Sequence, residues 1–155
     1  MRSVLTIAGL MSISPVPAVG QSLQGAWKPV EVVITGGPNA GRHTTDVQPG
    51  LIIFTQRHYS TMFVQGFSPR PRLSDNPTDE ELGRVFRPFT ANAGMYELKD
   101  STLTFTPIVA KHPGVMAGIT LNFQIRLQGD SLWFITRSPD GGTEQRAKWV
   151  RTERP

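Results

Sequence analysis

The run Ile119-Thr-Leu121-Asn-Phe123-Gln-Ile125-Arg-Leu127-Gln128 constrains this chain more than any other stretch, because every odd position is apolar and every even one polar. A period of two belongs to a strand with one face buried and one in water, the habit of antiparallel sheets. Gly129-Asp130 follows as a two-residue turn, so the next segment, Leu132–Arg137, folds straight back. Counting outward from the turn sets Leu127 beside Leu132, Ile125 beside Phe134 and Phe123 beside Thr136 on one face. Arg126, Trp133, Asn122 and Arg137 gather on the other.

A second turn, Pro139-Asp140-Gly141-Gly142, allows the same count and pairs Arg137 with Glu144, Trp133 with Lys148, Phe134 with Ala147 and Leu132 with Trp149. Opposite charges meet outside and apolar groups meet inside, so the register set by the turns agrees with the register set by hydrophobicity. Trp133 then lies outside between Arg126 and Lys148, a surface cation–π cluster.

The pattern repeats upstream in Gly25–Thr35, Arg42–Gln56 with a bulge expected at Pro49-Gly50, Tyr59–Gln65, Gly94–Leu98 and Thr102–Val109. Between Gln65 and Gly94 lies one helical stretch: Thr78-Asp-Glu-Glu81 matches a capping box, Leu82, Val85, Phe86 and Phe89 follow at helical spacing, and Pro88 stops it. Eight consecutive antiparallel strands remove their exposed edges by closing into an up-and-down barrel. Connections then alternate between its ends. The tight links Arg57-His58, Lys99-Asp100 and Gly129-Asp130 fall at one end. The long ones, Gly36–Gly41, Gly66–Ala93 with the helix, Ala110–Gly118 and Pro139–Gly142, fall at the other. The expectation is an all-β, eight-stranded barrel over residues 23–152, with a mouth at the loop-rich end lidded by the helix.

Several segments in this order resemble the lipocalin-like domain family, small bacterial and fungal members of the wider lipocalin group. They are Gly25-Ala26-Trp27, matching the Gly-x-Trp that opens the first lipocalin strand, Gly50-Leu-Ile-Ile-Phe-Thr55 followed by Tyr59-Ser60, the acidic helix start Thr78–Glu81, Ala93-Gly94-Met95-Tyr96-Glu97, and the closing Trp149-Val150-Arg151. The resemblance implies a late Arg packed over the first-strand Trp, here Arg151 over Trp27, as a structural plug sealing the closed end. It also implies, loosely, the binding of a small hydrophobic molecule inside the barrel, because fold does not fix function. The family usually has Gly where His58 stands, so His58 is expected at positive φ.

The first residues carry a different signal. Met1-Arg2 gives one positive charge, Val4–Ile13 is apolar without an acid, and Ala18-Val19-Gly20 sets small residues before a cleavage point at Gln21. That is the layout of a secretory signal peptide over residues 1–20. Pro15 and Pro17 end the apolar run well short of the roughly 20 residues a spanning helix needs, so no stable membrane insertion is expected. The mature chain would be exported, periplasmic or secreted, with its net charge lowered from +4 to +3 by loss of Arg2. The chain has no Cys, which excludes disulfides, thiolate metal sites, Cys nucleophiles and lipid-anchored Cys. Its arginines are scattered from Arg2 to Arg154 without a run, which argues against a nucleic-acid partner.

Chemical motifs are sparse. His43, His58 and His112 form no metal-ligand spacing with one another, so no metal or other cofactor is expected. Gly-x-Ser-x-Gly is absent, and Gly36-Gly-Pro-Asn-Ala-Gly41 lacks the Lys and hydroxyl residue of a phosphate loop. Glu80 and Glu81 suit a helix start rather than paired catalysis. The inner face is more informative. Tyr96, Leu103, Phe105, Leu121, Phe123, Ile125, Phe134, Thr136, Gln145 and Ala147 point inward, with Tyr96, Thr136 and Gln145 as polar handles. The ligand-binding set is Tyr96, Leu103, Phe105, Leu121, Phe123, Phe134, Thr136 and Gln145. Pro69-Arg70-Pro71-Arg72 near the same mouth could meet a carboxylate head. Three functions compete: a binding protein for a small hydrophobic molecule; a barrel isomerase or cyclase with Tyr96 or His112 as general acid; and a filled barrel whose Arg-rich outside contacts an envelope macromolecule.

Overall fold

The computed structural model describes residues 22–116 and 118–155, so the expected signal peptide lies outside the described residues. The strands are β1 (Gly25–Gly36), β2 (His43–Thr44), β3 (Gly50–Phe54), β4 (His58–Val64), β5 (Phe89–Lys99), β6 (Thr102–Ala110), β7 (Leu121–Gln128), β8 (Ser131–Arg137) and β9 (Thr143–Glu153). Helix α1 (Asp79–Phe86) lies between β4 and β5, and a 3₁₀ turn (Pro113–Met116) between β6 and β7. Strands β1 and β3 to β9 pair antiparallel in chain order, and β9 returns along β1 from Gly36↔Thr143 to Ala26↔Glu153. Eight strands therefore close into a barrel, and β2 is a two-residue addition on the edge of β1.

The C-terminal registers are those the turns dictate. Leu127↔Leu132, Ile125↔Phe134 and Arg126↔Trp133 join β7 to β8, and Leu132↔Trp149, Phe134↔Ala147 and Arg137↔Glu144 join β8 to β9. Trp133 sits outside with the charged groups of Arg126 and Lys148 each 5.4 Å from its ring. The capping box also forms: Thr78 Oγ1 accepts from the Glu81 amide, and the Glu81 carboxylate accepts from the Thr78 amide at 2.8 Å.

Elsewhere the boundaries shift for physical reasons. The expected strand Arg42–Gln56 splits into β2 and β3, because Thr44 Oγ1 takes the Asp46 amide and Pro49 has no amide to give to a ladder. β5 starts at Phe89, not Gly94, and Phe89 belongs to it rather than to the helix, which ends at Phe86 with Arg87 as C-cap. Gly94 marks a bulge: a Cβ there would run into the Thr106 carbonyl oxygen and lie 2.8 Å from Pro107 Cα. β7 starts at Leu121, two residues after the expected Ile119, where its pairing with β6 begins. His58 does not take positive φ. Its amide bonds Thr55 Oγ1 and its carbonyl accepts the Thr55 amide, a closure that needs no left-handed residue. The one non-glycine with positive φ among the described residues is Asp100, at 55°, in the β5–β6 turn.

The core fills the tight-turn half of the barrel. Trp27, Leu103 and Leu132 are its fully buried large side chains, joined by Leu23, Phe54, Tyr59, Phe105, Ile125 and Trp149. Aromatic rings continue upward around the wall: Tyr59 stacks on Phe105 at 3.7 Å, and edge contacts link Phe105, Phe123, Phe134, Trp149 and Phe63.

Candidate functional site

At the tight-turn end the barrel is sealed. Arg151 pairs with Trp27 across β9 and β1, with its Cζ 4.2 Å from the indole centroid. The same guanidinium donates to the carbonyls of Ser22, at 2.7 Å, and Gln24, and to Asp130 Oδ1 at 2.9 Å. Trp27 Nε1 donates to the Leu23 carbonyl at 2.8 Å, so the entering chain folds under the indole.

The loop-rich half encloses a cavity of about 550 Å³. That volume lies within the roughly 300–1,000 Å³ of small-molecule pockets. Phe105, Leu121, Phe123, Phe134, Thr136, Gln145 and Ala147 all line it, as strand alternation directs. Tyr96 and Leu103 do not. Leu103 is fully buried in the core beneath, and Tyr96 turns its hydroxyl to the Thr55 carbonyl, 2.9 Å away in the β3–β4 turn. Alternation assigns a side chain to the inner face without giving its height in the barrel, and these two lie below the cavity floor. His112 is exposed beside the 3₁₀ turn and does not line the cavity. The two general acids considered from sequence are thus both placed away from it. His43 Nε2 pairs with Glu31 at 2.6 Å on an exposed edge. Arg70 stands over the Phe89 ring at 5.2 Å, and neither Arg70 nor Arg72 lines the cavity.

The opposite wall comes from residues the sequence reading passed over: Ile52 on β3, Thr61 and Phe63 on β4, Thr90 and Asn92 on β5. Thr61 and Phe63 could have been found by extending the alternation from Tyr59. Asn92 and Thr90 were hidden by starting their strand at Gly94. They add polar groups to those of Thr136 and Gln145. Tyr59 donates its hydroxyl to Asn92 Oδ1 at 2.6 Å, and burial pushes the Tyr59 phenol up to about 12, so it stays protonated and a donor. Gln65 Nε2 donates to Thr90 Oγ1 at 3.0 Å. Thr61 is 3% exposed, and its Oγ1 has no hydrogen-bond partner. Every lining residue is uncharged.

The rim is made by Val47 and Gln48, from the segment that leaves the ladder between β2 and β3, and by Gln65-Gly66-Phe67 after β4. Arg42 covers Phe67 with its Cζ 4.3 Å from the ring. Helix α1 stands in the connection at this end, without buried residues and without a place in the lining. Its C-terminus is held by the Lys111 ammonium, which donates to the carbonyls of Phe86, Arg87 and Phe89, the last two at 3.2 and 2.7 Å.

Fold and site together define a small closed β-barrel, plugged at one end and hollow toward the other. No family model matches the chain, and no curated protein matches it. Among solved structures it is similar to the crystal structure of an uncharacterized protein from Bacteroides eggerthii, with a TM-score of 0.43 and 11% identity over 82% of this chain and 98% of that one. Among the described residues no helix is long and apolar enough to cross a membrane.

Proposed function

We propose that this chain is an exported, lipocalin-like binding protein that takes a small hydrophobic molecule into the barrel through the loop-rich mouth. The observation that carries the reading is the cavity itself: about 550 Å³ walled by Phe105, Leu121, Phe123, Phe134 and Trp149, with amide and hydroxyl groups as its only polar lining. Such a wall gains from covering apolar surface, roughly 25 cal/mol per Å² removed from water. It penalises a charged guest, because no ionic partner stands inside. The ligand is therefore apolar and neutral.

The test uses N-phenyl-1-naphthylamine, a neutral fluorophore that brightens in apolar surroundings, together with native mass spectrometry of protein purified from its own host. The mature protein should brighten the dye at one site, and A147F, which fills the cavity beside Phe134, should abolish the signal while the melting curve stays cooperative. A barrel that leaves the dye dark and arrives consistently ligand-free overturns the proposal. Cell fractionation checks export separately: a chain retained in the cytoplasm with residues 1–20 intact would remove that part.

A further inference from the structure

Thr61 on β4 and Asn92 on β5 are direct partners across the ladder, and both line the cavity. Inward-facing partners of this kind hold their Cβ atoms about 5 Å apart, so one ligand atom can reach both. Both can offer a hydrogen to one guest atom. The Asn92 carbonyl oxygen already accepts the Tyr59 hydroxyl, which leaves the amide hydrogens of Asn92 to face the cavity. The Thr61 hydroxyl is buried without a partner, which is rare in a folded protein and costs stability for as long as it lasts. Its Oγ1 has almost no accessible surface, so the O–H reaches the cavity by turning about χ1 to another staggered position. With the hydroxyl donating, two donors converge, and a carbonyl oxygen, with two lone pairs, accepts both.

We propose that Thr61 and Asn92 form a carbonyl-binding station in the cavity wall, so that the ligand is a neutral, largely apolar molecule bearing a ketone, aldehyde or ester oxygen. The proposal rests on the reading of the cavity as a ligand pocket and adds the chemistry of the guest. A carboxylate does not fit, since the lining holds no cation to neutralise it. A hydrocarbon fits the walls but leaves Thr61 unsatisfied.

Three probes with one skeleton separate the cases: 2-acetylnaphthalene, 1-(2-naphthyl)ethanol and 2-ethylnaphthalene, each competed against N-phenyl-1-naphthylamine. In T61V, which keeps the shape and removes the hydroxyl, the affinity of the ketone relative to the hydrocarbon should fall about fivefold, the worth of one hydrogen bond. T61S should restore it. An unchanged ratio in T61V, or an alcohol whose ratio falls as far as the ketone's, overturns the station while leaving the pocket standing. Failure of every probe and of the dye to bind overturns pocket and station together. A reading on the wild-type protein stands apart from the variants: the carbonyl stretch of bound 2-acetylnaphthalene should lie below its frequency in alkane, and equality with the alkane value overturns the proposal.

Discussion

The guanidinium of Arg151 lies over the indole of Trp27, 4.2 Å from the ring centroid, and with the same group it holds the Ser22 carbonyl, 129 positions away in the chain. It also holds Asp130 in the β7–β8 turn. One side chain thus ties the first strand, the last strand, the entering segment and a hairpin turn. In a chain without cysteine no covalent cross-link shares that task.

Replacing the fork with a point charge should loosen the tie. R151K keeps the charge but cannot reach Ser22, Gln24 and Asp130 together, and should lose about 1–3 kcal/mol in urea unfolding. W27A, which empties the most buried aromatic site, should lose about 3–5 kcal/mol. A wild-type urea midpoint for R151K would show that the contact is decorative.

The close approach of β6 at Gly94 makes a second prediction. Because a Cβ at Gly94 meets the Thr106 carbonyl and Pro107 Cα, G94A must push β6 away, at a cost of at least the ~1–3 kcal/mol of an overpacked site. An alanine variant as stable as wild type, with unchanged amide chemical shifts in β6, would contradict that geometry.

Both tyrosines of the chain have raised pKa values through burial, Tyr59 to about 12. At pH 10, where an ordinary tyrosine is half ionised, the native protein should show little phenolate absorbance and the urea-unfolded protein about half of the full signal. The stability that Tyr59 lends is complete below its unfolded value of 10.0 and vanishes as the pH rises through its folded value. Native and unfolded titrations that superimpose would refute the burial of both hydroxyls.

On the acid side the signs reverse. Asp130 is held below its ordinary 3.8 by hydrogen bonds from Arg154 and Arg151, and Glu144 below its ordinary 4.5 by Arg146 and Arg137. Their contribution is present above those ordinary values and lost as the pH falls through the lowered ones. Asp130 is exposed and Glu144 half-buried between exposed arginines, so the effect is modest and shrinks with salt. The fall in urea midpoint below about pH 4.5 should be shallower in a D130N/E144Q double variant than in wild type, and identical slopes would refute the pairing.

The part of the barrel legible in the sequence is the part where two independent signals coincide. From Leu121 to Trp149 the turns are short and the alternation unbroken, so counting from Gly129-Asp130 placed Phe134 against Ala147 and Leu132 against Trp149 correctly. The opposite wall has neither advantage. Asn92 and Thr90 lie before Gly94, where the expected strand began and where β6 takes up an extra residue against β5, and the β4–β5 connection is too long to transmit a register. Tyr96 and Leu103 show a further limit. A period of two names the face, whereas the height of a residue inside a barrel depends on strand tilt and on which side chains fill the floor.

The ladder between β1 and β3 has only three residue pairs, Gly25–Trp27 against Ile52–Phe54, whereas β9 runs along nearly all of β1. Above Trp27 the edge of β1 meets the two residues of β2 and, through Ile34, the backbone of Gly41 and Arg42, and the stretch carrying Val47 and Gln48 crosses the interval. The barrel is therefore a jacket whose shortest clasp is β1–β3, with the four pairs of β6–β7 next. Swinging that flap would part the wall sideways with the plug at the bottom left shut. Amide hydrogens of Val32 to Phe54 on this side should exchange ahead of those joining β8 to β9, and uniform protection around the ring would mean that the clasp stays fastened.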